Sequence, residues 1–95
     1  MAWTIDFDKT AKKEFKRLDK PIQKQIDKFL LKLMKSKNPR QYGDALTGNL
    51  KSFWRYRVGD YRLICSIEDT VLTVLVVRIR HRKEVYKTPF SGHIE

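Results

Sequence analysis

The strongest constraint on the fold is a turn signal between two runs of alternating residues. The stretch FWRYRVGDYRLICSI covers residues 53–67, and Gly59 with Asp60 separates its two runs. Glycine supplies the positive φ that a two-residue hairpin loop needs. The sequence therefore predicts two antiparallel strands, Phe53 to Val58 and Tyr61 to Ile67, whose register is fixed by the loop.

This register sorts the side chains onto two faces, because cross-strand partners share a face of a sheet. Arg57 lies opposite Arg62, and Arg55 falls on the same face. A shift by one residue would scatter both sets, so the sorting supports the register. The other face is a continuous apolar surface for helices: Trp54, Tyr56, Val58, Tyr61, Leu63, Cys65 and Ile67.

The remaining elements follow from periodicity and capping signals. Trp3 to Phe7 alternates as a short strand, and Asp8 is a suitable N-cap for a helix through about Leu18. A second helix with Pro21 in its first turn runs to about Ser36. Residues 37–51 read as a loop, and Val71 to Ile79 as a central strand rich in Val and Leu.

The predicted order is β-α-α-β-β-β, which indicates an α+β fold. We expect a helical hairpin packed on one face of a mostly antiparallel four-stranded sheet. With 95 residues and no internal linker, the chain forms a single domain over residues 1–95, and its polar tail, residues 82–95, is expected to be partly mobile. The lone Cys65, the lack of a secretory signal and the lack of a long apolar run favour a cytoplasmic protein away from membranes.

The charge of the chain favours a polyanionic partner. The net charge is +10; residues 1–50 hold ten of the 13 lysines, whereas six of the eight arginines lie between Arg55 and Arg82. Such a field attracts nucleic acid, although a solubility surface or an acidic protein partner is the alternative. Lysines at positions 20, 24, 28 and 32 line one side of the second helix, as either a solvated or a phosphate-contacting face.

Three arginines on one sheet face repel each other, which a bound phosphodiester would relieve. The alternative is neutralisation by carboxylates from a loop or a partner protein. A second basic run contains Arg78, Arg80, His81 and Arg82. A three-residue turn at 68–70 would put Arg78 and Arg80 on the same face as the first cluster and a two-residue turn on the opposite face, so the sequence leaves their placement open.

Any chemistry must come from cations together with a tyrosine or histidine. One Cys and two distant His residues, His81 and His93, do not match metal-ligand spacing, and Cys65 falls on the core face. We therefore expect no metal and no cofactor. RNA suits such a site because its 2′-hydroxyl is the nucleophile, and the protein has only to align it, stabilise the phosphorane and move protons.

Two motifs resemble the RelE/ParE toxin superfamily, and more closely its RelE branch: ALTGNLKSFWRYRVGDYR, ending at Arg62, and RIRHRKEVY, ending at Tyr86. The resemblance implies a RelE-like fold and the toxin of a type II toxin-antitoxin system. It implies a ribosome-dependent endoribonuclease (an mRNA interferase) that cleaves mRNA in the A site by attack of the 2′-hydroxyl on the adjacent phosphate. It further implies as partners a cognate antitoxin, the 70S ribosome with mRNA, and operator DNA bound only by the toxin–antitoxin complex.

The resemblance also assigns residues. The basic pair before the hairpin falls on Arg55 and Arg57, where the best-known members have lysine; arginine is a poor general base, so we assign this pair to substrate binding. The expected catalytic residues are Arg62, which binds the phosphate in the transition state, Arg80 near the leaving oxygen, and Tyr86 or His81 as a proton carrier or stacking group. The further expected substrate-binding residues are Arg82 and Lys51.

Two other functions remain open on the sequence. A ParE-like toxin shares this fold but poisons DNA gyrase without nuclease activity, and a basic nucleic-acid-binding module would have no activity. The joint presence of Arg62, Arg80 and Tyr86 favours the nuclease.

Overall fold

A computed structural model describes residues 2–48 and 52–83 of the chain. The element order of these residues confirms the α+β class, with two helices and a single sheet among them. The elements are β1 (Thr4–Phe7), α1 (Lys9–Lys16), α2 (Lys20–Lys35), β2 (Asp44–Ala45), β3 (Phe53–Val58), β4 (Tyr61–Glu68) and β5 (Thr73–His81), with short 3₁₀ turns at Pro39–Tyr42 and Asp69–Val71.

Within the described part of the chain, the sheet has five strands in the order β1-β5-β4-β3-β2, so the predicted number of four is wrong. The additional strand β2 is two residues long and lies within the predicted loop, where it pairs with Arg55 and Trp54 of β3. Two residues are too few for an alternating pattern, which is why the sequence shows no strand there. Strand β1 pairs with β5 in parallel, and the other pairs are antiparallel.

The helices begin at the predicted signals. The Asp8 carboxylate accepts a hydrogen bond from the backbone N–H of Ala11 at 2.9 Å, which is the geometry of an N-cap. Helix α1 ends at Lys16, slightly before the predicted end, and the Gln23 side chain donates to the carbonyls of Phe15 and Leu18 at 2.9 and 3.1 Å. These bonds add a side-chain donor at the turn into α2, where the helix no longer supplies backbone N–H groups four residues ahead. Neither helix of the described residues combines the length and the apolar character of a membrane span.

The main core lies between the helical hairpin and one face of the sheet. The apolar sides of the helices contribute Ala11, Ile26 and Leu33, each fully buried. On the sheet side, burial raises the pKa of the Cys65 thiol far above its usual range, so this cysteine stays protonated. A structural role for Cys65 agrees with its predicted position on the core face.

A smaller apolar cluster lies on the opposite face of the sheet. Ile64 is completely buried there, against Leu46 and the partly buried Phe53 and Val77. The segment after β2 therefore covers part of the face that carries the arginines. The described residues leave only the remainder of that face uncovered.

Candidate functional site

The predicted hairpin register is observed residue for residue. Val58 pairs with Tyr61, and Arg57 pairs with Arg62. Gly59 has a φ of 59°, the left-handed conformation for which glycine is suited. Arg55, Arg57 and Arg62 consequently share the face of the sheet that is turned away from the helices.

A β-bulge places the second basic run on the same face. Glu68 pairs with Thr73, so the connecting loop has four residues, 69–72, instead of the two or three expected from the sequence. Continued without interruption, this register would put Arg78 opposite Leu63, on the core face. Instead Cys65 pairs with Val76 and Ile64 pairs with Arg78, so that Val77 is the extra residue of a bulge.

Beyond the bulge, Arg62 pairs with Arg80. The bulge therefore settles the placement that the sequence left open. Five arginines of three neighbouring strands lie on one face, hereafter the arginine face: Arg55, Arg57, Arg62, Arg78 and Arg80.

Arg62 is held by the turn of the hairpin. The Arg62 guanidinium donates through Nη1 to the carbonyl oxygens of Gly59 and Tyr61 at 3.1 and 3.0 Å. These bonds keep the group near the turn. Its cross-strand partner Arg57 is exposed.

Two carboxylates border the arginine face. Asp44 of β2 approaches Arg55, with its Oδ2 at 3.8 Å from Nη2. Glu14 of α1 contacts Arg80 and lies 3.9 Å from Arg78. Within residues 2–48 and 52–83, the alternative of internal neutralisation is thus realised in part, by two acids beside five arginines.

Neither acid was predicted from the sequence as part of the site. Glu14 is the single acidic residue of a helix that contains four lysines, which was the available signal. Its contact with β5 depends on how α1 packs on the sheet edge, and the sequence does not specify that packing.

His81 lies apart from the arginines. It pairs with Tyr61, whose side chain belongs to the core side, and the two rings meet edge to face at 5.2 Å. The His81 Nδ1 accepts a hydrogen bond from the backbone N–H of Lys83 at 3.2 Å. Of the predicted proton carriers, His81 is therefore placed on the side of the sheet opposite the arginine face.

Arg82 extends the basic surface towards the hairpin turn. Its backbone N–H donates to the carbonyl of Asp60 at 2.7 Å, and its Nε lies 3.6 Å from the Asp60 carboxylate. Both side chains are more than half exposed. Lys51, Tyr86 and residues 84–95 of the predicted tail lie outside the described residues, as does His93.

Within residues 2–48 and 52–83, no group of three or more His, Cys, Asp or Glu side chains is arranged to hold a metal ion. The chemistry available on the arginine face is that of its clustered guanidinium groups. These groups can bind phosphate oxygens through charge-assisted and bidentate hydrogen bonds.

Residues 5–86 match the family model described as the ParE toxin of type II toxin-antitoxin systems. The chain belongs to this family. The match covers most of the chain, including both basic runs, and places it in the RelE/ParE superfamily.

Curated relatives of this toxin family carry RelE-type names. The toxin RelG of Mycobacterium tuberculosis is 30% identical over 87 residues, covering 92% of this chain and 99% of the relative. The mRNA interferase toxin RelE of Escherichia coli is 33% identical over 89 residues, covering 90% of this chain and 92% of the relative.

Solved structures of the family share the fold. The toxin in a RelBE toxin–antitoxin complex from Mycobacterium tuberculosis superposes with a TM-score of 0.78 at 29% identity, covering 86% of this chain and 100% of that chain. The isolated RelE toxin of Escherichia coli gives a TM-score of 0.70 at 27% identity, covering 90% of this chain and 92% of that chain.

Proposed function

We propose that this toxin is a RelE-type endoribonuclease that cuts mRNA in the A site of the translating 70S ribosome and so inhibits translation. The observation that carries the proposal is the arginine face, on which a bulge aligns the basic residues of β5 with those of β3 and β4. The names of the relatives, RelG and mRNA interferase RelE, support the same activity.

The proposed reaction needs no group beyond the side chains and the RNA. The 2′-oxygen attacks the adjacent phosphorus, the bond to the 5′-oxygen breaks, one proton leaves the 2′-hydroxyl and another reaches the 5′-oxygen. Arg62 would stabilise the negative charge that develops on the phosphorane, and Arg80 would act near the leaving oxygen. Arg55, Arg57, Arg82 and Lys51 would hold the flanking phosphates.

The arginines cannot accept the proton of the 2′-hydroxyl, because they remain charged at all physiological pH values. The candidates are Tyr86 and His81. The position of His81 on the core side of the sheet weighs against it. We therefore assign the proton transfer to Tyr86, with a pH–rate profile of Tyr86→Phe as its test and His81→Ala as the comparison.

Regulation by a cognate antitoxin belongs to the same proposal. Structural relatives of this fold have been solved as toxin–antitoxin complexes from Mycobacterium tuberculosis and Escherichia coli. We propose that an antitoxin binds this chain in the cytoplasm, blocks the toxin and, only in the complex, binds operator DNA.

The decisive experiment is incubation of the purified protein with translating ribosomes, followed by mapping of mRNA 5′ ends. We expect cuts at the A-site codon that require both the ribosome and Arg62. Intact message would overturn the proposal.

The matched family is named for ParE, so gyrase is the second candidate target. The same preparation is added to DNA gyrase and plasmid DNA. Trapped gyrase–DNA complexes together with uncut message would assign the chain to the gyrase-poisoning branch. Binding of RNA with neither effect would leave a non-enzymatic basic module.

A further inference from the structure

Among the residues that the structure describes, no strand continues along the edge of β5 beyond the end of β1. The parallel pairing of β1 with β5 extends from Thr4 with Thr73 to Phe7 with Val76, and Asp8 donates its backbone N–H to the carbonyl of Val76 at 2.9 Å. From there the chain turns into α1. The backbone N–H groups of β5 that follow have lost their neighbouring strand and need other acceptors.

Glu14 provides the acceptor at this edge. Its Oε1 accepts a hydrogen bond from the backbone N–H of Ile79 at 2.7 Å, and its side chain is only 18% exposed. One carboxylate oxygen thus replaces the absent strand. The bond fixes where the second oxygen of Glu14 lies.

The second oxygen faces the basic run. Glu14 Oε2 accepts from Nη1 of Arg80 and lies 3.9 Å from Nη1 of Arg78. The same Arg80 nitrogen is 3.3 Å from the carbonyl oxygen of Ile79. An arginine has five N–H donors in a rigid plane, so contacts at Nη1 orient the group and leave other donors for a ligand.

We propose that Glu14 is a positioning residue, which holds the guanidinium of Arg80 in the orientation needed for RNA cleavage. This inference rests on the proposed nuclease function. Without the carboxylate, Arg80 would spread over several rotamers, and binding of the transition state would first have to order it. Misplacement of a reacting group by about 1 Å can lower a rate by a factor of about 100.

The test uses Glu14→Gln, because the amide oxygen can still accept from Ile79 while the charge that attracts Arg80 is gone. We expect kcat for mRNA cleavage on ribosomes to fall by a factor of about 10 to 100, with a smaller change in KM. Asp27→Asn is the matched control, since it removes one negative charge from an exposed position on α2. Its kcat should equal that of the unmodified protein.

A double-mutant cycle separates positioning from mere stabilisation. If Glu14 acts through Arg80, Glu14→Gln should slow cleavage in the unmodified protein but have no further effect in the Arg80→Ala variant. NMR relaxation of the Arg80 Nε–Hε group should show a rigid side chain that becomes mobile in Glu14→Gln. Additive rate effects, or an unchanged Arg80 signal, would overturn the inference.

Two further outcomes would separate the positioning role of Glu14 from the proposed nuclease function. Faster cleavage by Glu14→Gln would mean that the carboxylate competes with the RNA phosphate, which contradicts a positioning role. Failure of the unmodified protein to cut mRNA would reject the proposed function and with it the role of Glu14 in cleavage, whatever the NMR experiment finds.

Discussion

Arg62 combines an anchored side chain with a central position among the other arginines. Its guanidinium donates to two carbonyls of the hairpin turn, and it lies between Arg57 on one strand and Arg80 on the other. A group fixed in this way is ordered before a phosphate binds. Such preorganisation is what stabilises charge in a transition state.

We predict that Arg62→Ala slows mRNA cleavage on ribosomes by a factor of about 100 to 1,000, as removal of one preorganised donor does elsewhere. Growth arrest on expression should be largely relieved. Arg17→Ala is the matched control, because Arg17 is an exposed arginine directly after α1. Both variants should retain the melting temperature, and undiminished toxicity of Arg62→Ala would contradict the assignment.

Tyr56 illustrates a residue whose polar group serves the fold. Its buried hydroxyl donates to the carbonyl of Pro39 at 2.8 Å, and burial raises the pKa of this hydroxyl well above its ordinary value. Tyr56→Phe leaves the carbonyl without this donor, so we expect the free energy of unfolding to fall by about 1–3 kcal/mol. Urea denaturation measures the change, and Tyr42→Phe, which keeps the ring beneath Lys32, should be close to neutral.

At the scale of elements, an ion pair joins the two 3₁₀ turns. Arg40 donates from Nη1 and Nη2 to the two carboxylate oxygens of Asp69, each at 2.8 Å, and the Trp54 indole donates to the Arg40 carbonyl at 3.1 Å. The hydrogen bonds from Arg40 lower the pKa of Asp69 below its usual 3.8. The pair therefore connects the turn after α2 with the β4–β5 loop.

This shift predicts how the contribution of the pair depends on pH. A carboxyl whose pKa is lowered by folding stabilises the protein above its unfolded pKa, and the effect is lost as the pH falls through the lower folded value. The stability difference between the unmodified protein and Asp69→Asn should be constant near neutrality and shrink below about pH 4. Denaturation at a series of pH values measures it, and a difference that grows on acidification would contradict the prediction.

The hairpin and the bulge show how far the sequence predicts the elements. The register of β3 with β4 could be predicted in full from Gly59 and the alternation around it. A two-residue loop allows only one pairing of the residues in the two strands. The bulge at Val77 has no such signal in the local sequence. Val77 packs with Ile64 and Leu46, which are distant in the chain, on the arginine face. The first three arginines of the site could thus be predicted from the sequence, whereas the way in which Arg78 and Arg80 join them could not.

At the scale of the whole molecule, the positive charge is divided between two sides. The lysines of α1 and α2 lie on the helical hairpin that covers the core face of the sheet. The arginine face lies on the other side of the sheet. The net charge of +10 attracts RNA from a distance, but only contacts that displace counterions contribute to the salt dependence of binding. The two sides can therefore be distinguished by their effect on that dependence.

We predict that the logarithm of the dissociation constant for programmed ribosomes rises linearly with the logarithm of salt concentration, and that Arg57→Ala lowers the slope by about one phosphate contact. Arg57 is exposed on the arginine face, so its loss should leave the fold intact. Arg17→Ala removes the same charge at the end of α1 and should leave the slope unchanged. Equal slopes for Arg57→Ala and Arg17→Ala would mean that the arginine face does not contact phosphate. A lower slope for Lys24→Ala would show that the lysines of α2 bind RNA as well.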